Sequence, residues 1–185
     1  MPTARYIDSL KYPRIPGFEW PEAQEPDDTA IFRRILEKGA QVFTNDARDG
    51  KRAHSYTVGL YLNFLHPEVV ILGVTNDAAV AIFSKLRTEA DSGKILLEGE
   101  VRTDLFSFRH EVKFIRIEDD LAKIDYLDHA AWFYRSLVDN FEPGIKHKFP
   151  VFQAVWADKN GFFPDNFRCE EIVRKAQAVN MVPTY

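Results

Sequence analysis

A single cysteine, Cys169, stands in 185 residues, which excludes an intrachain disulfide and any zinc site built from several thiolates. The chain is expected to fold without covalent staples in a reducing, cytoplasmic setting. No wholly apolar run approaches the roughly 20 residues that cross a bilayer, and no apolar stretch follows Met1-Pro2-Thr3-Ala4-Arg5-Tyr6, so neither a membrane span nor a secretory leader is expected. Positive charge is also short. The 24 Lys and Arg against 28 Asp and Glu leave a net charge of −4, whereas a phosphate backbone calls for a basic face, so nucleic acid is not an expected partner. A Gly-rich phosphate loop, a dinucleotide fingerprint and a Gly-x-Ser-x-Gly elbow are all missing, and no cofactor is expected. His54, His110, His129 and His147 are scattered with no His-x-x-x-His pairing, which argues against a metal site.

What is present is the material of a core: 45% apolar and 14% aromatic residues, enough for a domain of this length to bury roughly 70% of its unfolded surface. Residues 1–27 hold Pro2, Pro13, Pro16, Pro21 and Pro26, so neither a regular helix nor a central strand runs through them. They form an N-terminal arm to a single domain spanning residues 28–180. Tyr6, Tyr12, Phe18 and Trp20 make that arm too aromatic for a solvated linker. It either packs back on its own domain, the simpler expectation, or reaches a protein partner or a second copy as a homodimer.

Asp27 or Asp28 can cap a helix over Thr29 to Lys38, with Ile31, Phe32, Ile35 and Leu36 on one stripe and Gly39 as the stop. Gln41 to Thr44 and Ser55 to Leu60 read as strands of a hairpin through Asp49-Gly50, whose tip from Arg48 to Arg52 is basic. Val69 to Leu72 suits a strand buried on both faces at the centre of a sheet. Asn76 can cap a helix over Asp77 to Ala90, presenting Ala79, Ile82, Phe83, Leu86 and Ala90 to that strand. Phe108 to Phe114 alternates as a strand, with Ile115 and Ile117 requiring a bulge or burial of both faces. Leu121 to Val138 repeats at helical spacing with a break near Asp128. Pro143-Gly144 is a turn, Val151 to Trp156 a strand, and Glu170 to Val179 a terminal helix. The pattern predicts an α+β fold: a mixed, largely antiparallel sheet of about five strands with three to four helices on one or both faces.

Three segments, Ser55-Tyr56-Thr57-Val58-Gly59-Leu60, His66-Pro67-Glu68-Val69 and Phe152-Gln153-Ala154-Val155-Trp156-Ala157-Asp158-Lys159-Asn160-Gly161-Phe162-Phe163-Pro164, occur in an order and spacing that resembles the bacterial domain-of-unknown-function family 4262. The resemblance spans roughly residues 35 to 165 and implies no activity. Ala157 and Asp165 depart from the Pro and Trp usual in that pattern, and the position of His54 is usually apolar there, which argues against a family-wide catalytic role for it.

His66 and Glu68, two positions apart in extended chain, could act as acid and base from one side. The alternative is a rigid lead-in to the buried strand, with His66 bonding a backbone carbonyl of the hairpin. Thr57, between Ser55 and Gly59, belongs to a small hydroxyl-bearing face that a ligand, or a closely packed helix, could cover. Asp158 and Asn160 could bind a ligand, or simply close a tight turn. Cys169, flanked by Glu170 and Glu171, reads as an ordinary thiol. Two functions follow as expectations. The first is a binding or interaction module, conceivably one that neutralises a toxin as an immunity protein does. The second is a small-molecule-binding protein or enzyme with a pocket between the Tyr56 strand and the Asp158 turn, in which Tyr56 and His66 handle protons.

Overall fold

The computed structural model describes residues 15–48, 50–106, 110–118, 120–139, 146–147 and 149–177. Tyr6, Tyr12, Asp49, Phe108, Arg109, the Pro143-Gly144 turn and the end of the terminal helix expected at Val179 lie outside the described residues. Helix α1 (Pro26–Lys38) begins on Pro26, because proline fixes φ at a helical value and has no N–H to leave unpaired. Glu25 takes the cap position in place of Asp27 or Asp28, and Asp28 reaches back to accept from the Glu25 N–H at 3.0 Å. Gly39 closes the helix at φ 84°, its N–H donating to Ile35 O.

Strands β1 (Gln41–Asn45) and β2 (His54–Val58) pair antiparallel, placing Asn45 opposite His54 and Phe43 opposite Tyr56. Arg48 and Lys51 exchange both backbone hydrogen bonds at the tip. β2 stops two residues short of the expected Leu60. Gly59 turns the chain at φ 111°, and a short helix α2 (Leu60–Phe64) follows. Strand β3 (Glu68–Leu72), with every residue buried, leads to α3 (Asn76–Asp91), which Thr75 rather than Asn76 caps by accepting from the Ala78 N–H at 3.3 Å. A two-residue β4 (Val101–Arg102) precedes β5 (Val112–Arg116), which is shifted four residues beyond the expected start. The long helical stretch breaks into α4 (Asp120–Tyr126) and α5 (Asp128–Phe133), as the Asp128 break anticipated, and ends in a 3-10 turn at Arg135–Leu137. A ribbon of β6 (Val138–Asp139) and β7 (Lys146–His147), then β8 (Val151–Trp156) and α6 (Glu171–Ala176), complete the described elements.

The fold is α+β. Its main sheet runs β1-β2-β3-β8-β5-β4, antiparallel throughout except for the β3–β8 pair. Among the described residues the main sheet has six strands and the fold six α-helices, against about five and three to four expected, because the additional pieces, α2, α5 and β4, are too short to show periodicity. Alternation along the strands sends Tyr56, Val58, Val70, Leu72 and Val151 to a core shared with α1, α4 and α5. Val69, Ile71, Val112, Phe114, Phe152 and Ala154 face the opposite core beneath α3. Ile117 is buried on the first side, so the β5 end is covered on both faces.

The described part of the arm packs back. Phe18 and Trp20 meet edge-on at 5.7 Å and both contact the Phe133 ring at 5.4 Å; such aromatic pairs add about 0.5–1.5 kcal/mol each beyond the area they bury. At the C-terminal end of β8 the Gln177 amide pairs with the Trp156 backbone. It accepts from the Trp156 N–H at 2.9 Å and donates to Trp156 O at 2.8 Å. Among the described residues no helix is long and apolar enough to cross a membrane.

Candidate functional site

The two expected proton carriers of the His-Pro-Glu step lie apart in role. Glu68 is fully buried at the start of β3 and accepts from Thr57 Oγ1 (2.7 Å), the Gly59 N–H (2.8 Å), the Tyr61 N–H (3.0 Å) and the Tyr134 hydroxyl. Burial pushes its carboxyl up from the ordinary range, and these four donors hold it back. Thr57 in turn accepts from the Val69 N–H at 2.9 Å. Glu68 therefore ties β2, the Gly59 turn, α2 and α5's following residue Tyr134 together. Thr57, Gly59 and Tyr134 are buried with it, while Tyr61 is half-buried. His66 is 1% exposed, donates from Nδ1 to Pro67 O at 2.6 Å, and has its pKa lowered by burial. It bonds a backbone carbonyl, as the structural alternative anticipated, but that of its own neighbour rather than one in the hairpin.

Asp158 and Asn160 close a turn. Asp158 Oδ1 accepts from the N–H groups of Asn160 and Phe162, both at 2.9 Å, and Oδ2 accepts from the Glu170 N–H at 2.9 Å. Burial works to raise this carboxyl, and the three backbone donors outweigh it and hold it below the usual range. Every carboxylate oxygen has backbone work to do, which makes Asp158 an anchor for the loop leading to α6. Beyond the small face of β2, a Cβ built on Gly59 would lie 2.8 Å from Ile35 Cγ2 of α1, while Thr57 lines a separate cleft of about 330 Å³ with Phe83 and Arg87 of α3. His66, the Thr57–Glu68 pair, the Asp158–Asn160 turn and Tyr56 are not brought into one pocket.

Tyr56 is the exception among them, because it stands on the other face of β2 and ends in a polar cluster. Its hydroxyl donates to Asp128 Oδ1 at 2.6 Å and lies 3.1 Å from His129 Nδ1. Asp128 Oδ1 also accepts from His129 Nδ1 at 3.0 Å and from the His129 N–H at 2.9 Å. The hydrogen bonds from His129 and Tyr56 hold the Asp128 carboxyl well below the carboxylate range. Asp128 in return raises the His129 imidazole, and burial with Asp128 beside it raises the Tyr56 phenol. At pH 7 this leaves an ionised carboxylate, a protonated phenol and an imidazole that gains a proton more readily than usual. Next in the sheet, His54 donates from Nδ1 to Arg52 O at 2.8 Å, and its Nε2 accepts from Asn45 Nδ2 at 3.1 Å, which sets the tautomer. His54, Tyr56, Phe43 and His129 stack in sequence with near-parallel rings, interplanar angles being 14°, 16° and 23°.

Through Asp128 and His54 this cluster reaches a cleft of about 520 Å³, which Tyr56 and His129 do not line. The β1–β2 hairpin supplies one wall through Asn45, Asp46, Arg48 and Lys51, with His54 at the base; Asp125, Tyr126 and Asp128 at the α4–α5 junction supply the other. Asp128 is also part of a second hollow with His129, Trp132 and Asp28, and thus stands on the ridge between the two. Sequence reasoning singled out Tyr56 but missed Asp128, which read only as a helix break, and set His54 and His129 aside as unpaired. Their partners are 72 residues apart for Tyr56–Asp128, a separation that no local motif spans. Among the described residues no group of three His, Cys, Asp or Glu side chains converges as a metal site.

Residues 34–170 match the family described as a domain of unknown function, DUF4262. The chain belongs to that family. The DUF4262 region holds both the Glu68 hub and the Tyr56–Asp128–His129 cluster, and it ends on Glu170, whose N–H Asp158 binds. Where the DUF4262 pattern carries proline, Ala157 donates its N–H to Glu111 O at 2.9 Å, a bond proline cannot make. No curated protein and no solved structure is found to match the chain.

Proposed function

We propose that this chain binds a small polar molecule in the cleft between the β1–β2 hairpin and the α4–α5 junction. The observation that carries the reading is the convergence of polar side chains from two segments far apart in sequence, the hairpin and the α4–α5 junction, on a single cleft whose volume, about 520 Å³, falls in the range of ligand sites. Polar walls of both charge signs favour a ligand with hydrogen-bonding and charged groups over an apolar one. Asp128 lines the cleft, and the His129 imidazole bonded to it stands in the adjoining hollow, so the pair can relay a proton between the two. An interaction module drew its support from small size, acidic balance, missing catalytic motifs and the aromatic arm. Phe18 and Trp20 pack into this chain's own core, which favours the cleft over the arm as the functional surface.

The test is to denature protein purified from cells and identify the released small molecules by mass spectrometry, beside melting-temperature screening against amino acids, sugars, nucleosides and amines. A polar molecule that is retained by the wild type and lost from Asp128→Ala and from Asp46→Ala is expected. Asp46 is exposed, so its variant keeps the test valid should Asp128→Ala fail to fold. No released molecule, together with no melting shift from the panel, would overturn the reading.

A further inference from the structure

We infer that the ligand of this cleft carries a primary ammonium on a short alkyl chain, and that Lys51 holds the ammonium's place from within the chain. This rests on the cleft being a binding site and specifies what it binds. The Lys51 side chain leaves the hairpin tip and crosses the cleft. Its Nζ donates to the Asp125 carbonyl at 2.6 Å and lies 5.9 Å from the centre of the Tyr126 ring. A carbonyl oxygen, an aromatic face and nearby carboxylates are the groups that recognise an ammonium. Asp46, Asp125 and Asp128 line the same space, against Arg48 as the one other cation among the lining residues.

Tyr126 is 9% exposed and is held in place by an edge-on contact with His54 at 5.2 Å, so its ring presents a fixed face. Asp125 O belongs to the last turn of α4, where a carbonyl without a helical partner attracts a cation. Lys51 is half-buried and sits on a hairpin tip, so its side chain can swing to solvent while the backbone stays paired. An incoming alkylammonium would meet the carbonyl and ring that Lys51 now meets, and Lys51 competes with it: affinity is set by the difference between the two. The net charge of −4 draws small cations towards the molecule.

The experiment is calorimetric titration of the full chain with pentane-1,5-diamine, and with pentan-1-ol as the uncharged control. Lys51→Met, which keeps an unbranched side chain one atom shorter and removes its charge, is expected to bind the diamine at least roughly tenfold more tightly than the wild type. Lys51→Arg is expected to show no gain, and Tyr126→Leu added to Lys51→Met to abolish the gain. Pentan-1-ol binds neither protein. A Lys51→Met variant that retains the wild-type melting profile but binds the diamine no more tightly overturns the inference. If that result comes with a retained molecule of other chemistry that Asp46→Ala loses, the cleft remains a binding site and only the ammonium assignment falls. If no cleft-dependent binding of any kind is found, both fall.

Discussion

At Glu68 a carboxylate sits in a core, and what makes this tolerable is the number of donors aimed at it. Replacing it separates the role of shape from the role of hydrogen bonding. Glu68→Gln keeps an acceptor for Gly59, Tyr61 and Tyr134 and is expected to cost about 1–3 kcal/mol, because the amide nitrogen meets a Thr57 hydroxyl that had been donating. Glu68→Leu fills the space and leaves several buried donors without partners, so its cost is expected to exceed about 3 kcal/mol. Urea denaturation of the two variants checks the order; a leucine variant as stable as the glutamine variant would remove Glu68 as the hub. Tyr134 is tied to the same oxygen, and burial beside Glu68 drives its phenol well above the ordinary value, so it stays a donor across the working pH range.

Gly59 decides how β2 gives way to α2. Its φ of 111° is one that side chains resist, and a Cβ there would meet Ile35 Cγ2 at 2.8 Å and Gly39 O at 3.1 Å. Gly59→Ala is expected to lose roughly 2 kcal/mol or more, a fall in melting temperature of about 4–8 °C. Gly99→Ala, at φ 77° with nothing within 4 Å, carries only the backbone strain and is expected to fall by less; equal falls would show that the approach of α1 does not matter. The same glycine explains where the sequence reading stopped. Alternation through Ser55 to Leu60 suggests an unbroken strand, and nothing local reveals the positive φ that ends it. α1, α3 and the buried β3 were legible because their apolar spacing extends over a full element and signals such as Gly39 and Pro67 mark their ends, although the α3 cap fell on Thr75 and not on Asn76. The cleft was not, because His54, Lys51, Asp125 and Asp128 meet only once the hairpin lies against the α4–α5 junction. Asp158 was legible as a turn former, while its hold on Glu170 needed the fold.

Across the whole molecule the titrating groups pull stability in opposite directions with pH. The Arg102 guanidinium, bonded to Glu89 and Asp104, depresses both carboxyls, Glu89 to about 2. Asp128 is depressed likewise by its neighbours. Contributions of this kind are present above the unfolded carboxyl values near 4 and fade as pH falls towards the folded ones. His129 and Glu68 are raised instead. Their contributions are complete below 6.5 and 4.5 respectively, and each fades as pH rises through its raised folded value. His66, lowered by burial, works the other way from His129, its contribution growing as pH rises through 6.5. Urea midpoints are therefore expected to decline from about pH 6 towards pH 3, with the two histidines opposing each other above it. His129→Gln should make the midpoint rise more, or fall less, between about pH 5.5 and 8.5 than in the wild type. An alkaline limb that His129→Gln leaves unchanged would contradict the assignment of His129 as a raised group.

The one parallel contact in the sheet, β3 against β8, also governs when the chain can finish itself during synthesis. β1, β2 and β3 are consecutive and can pair as soon as they leave the ribosome. The far side of β3 then waits for a partner roughly eighty residues later in the chain, which at cellular rates of translation is about 4–16 s. For that interval Val69, Val70 and Ile71 present an unpaired apolar edge, a template for the wrong neighbour. The nascent protein thus depends on whatever shields that edge, a chaperone or its own α3, for longer than its finished size would suggest.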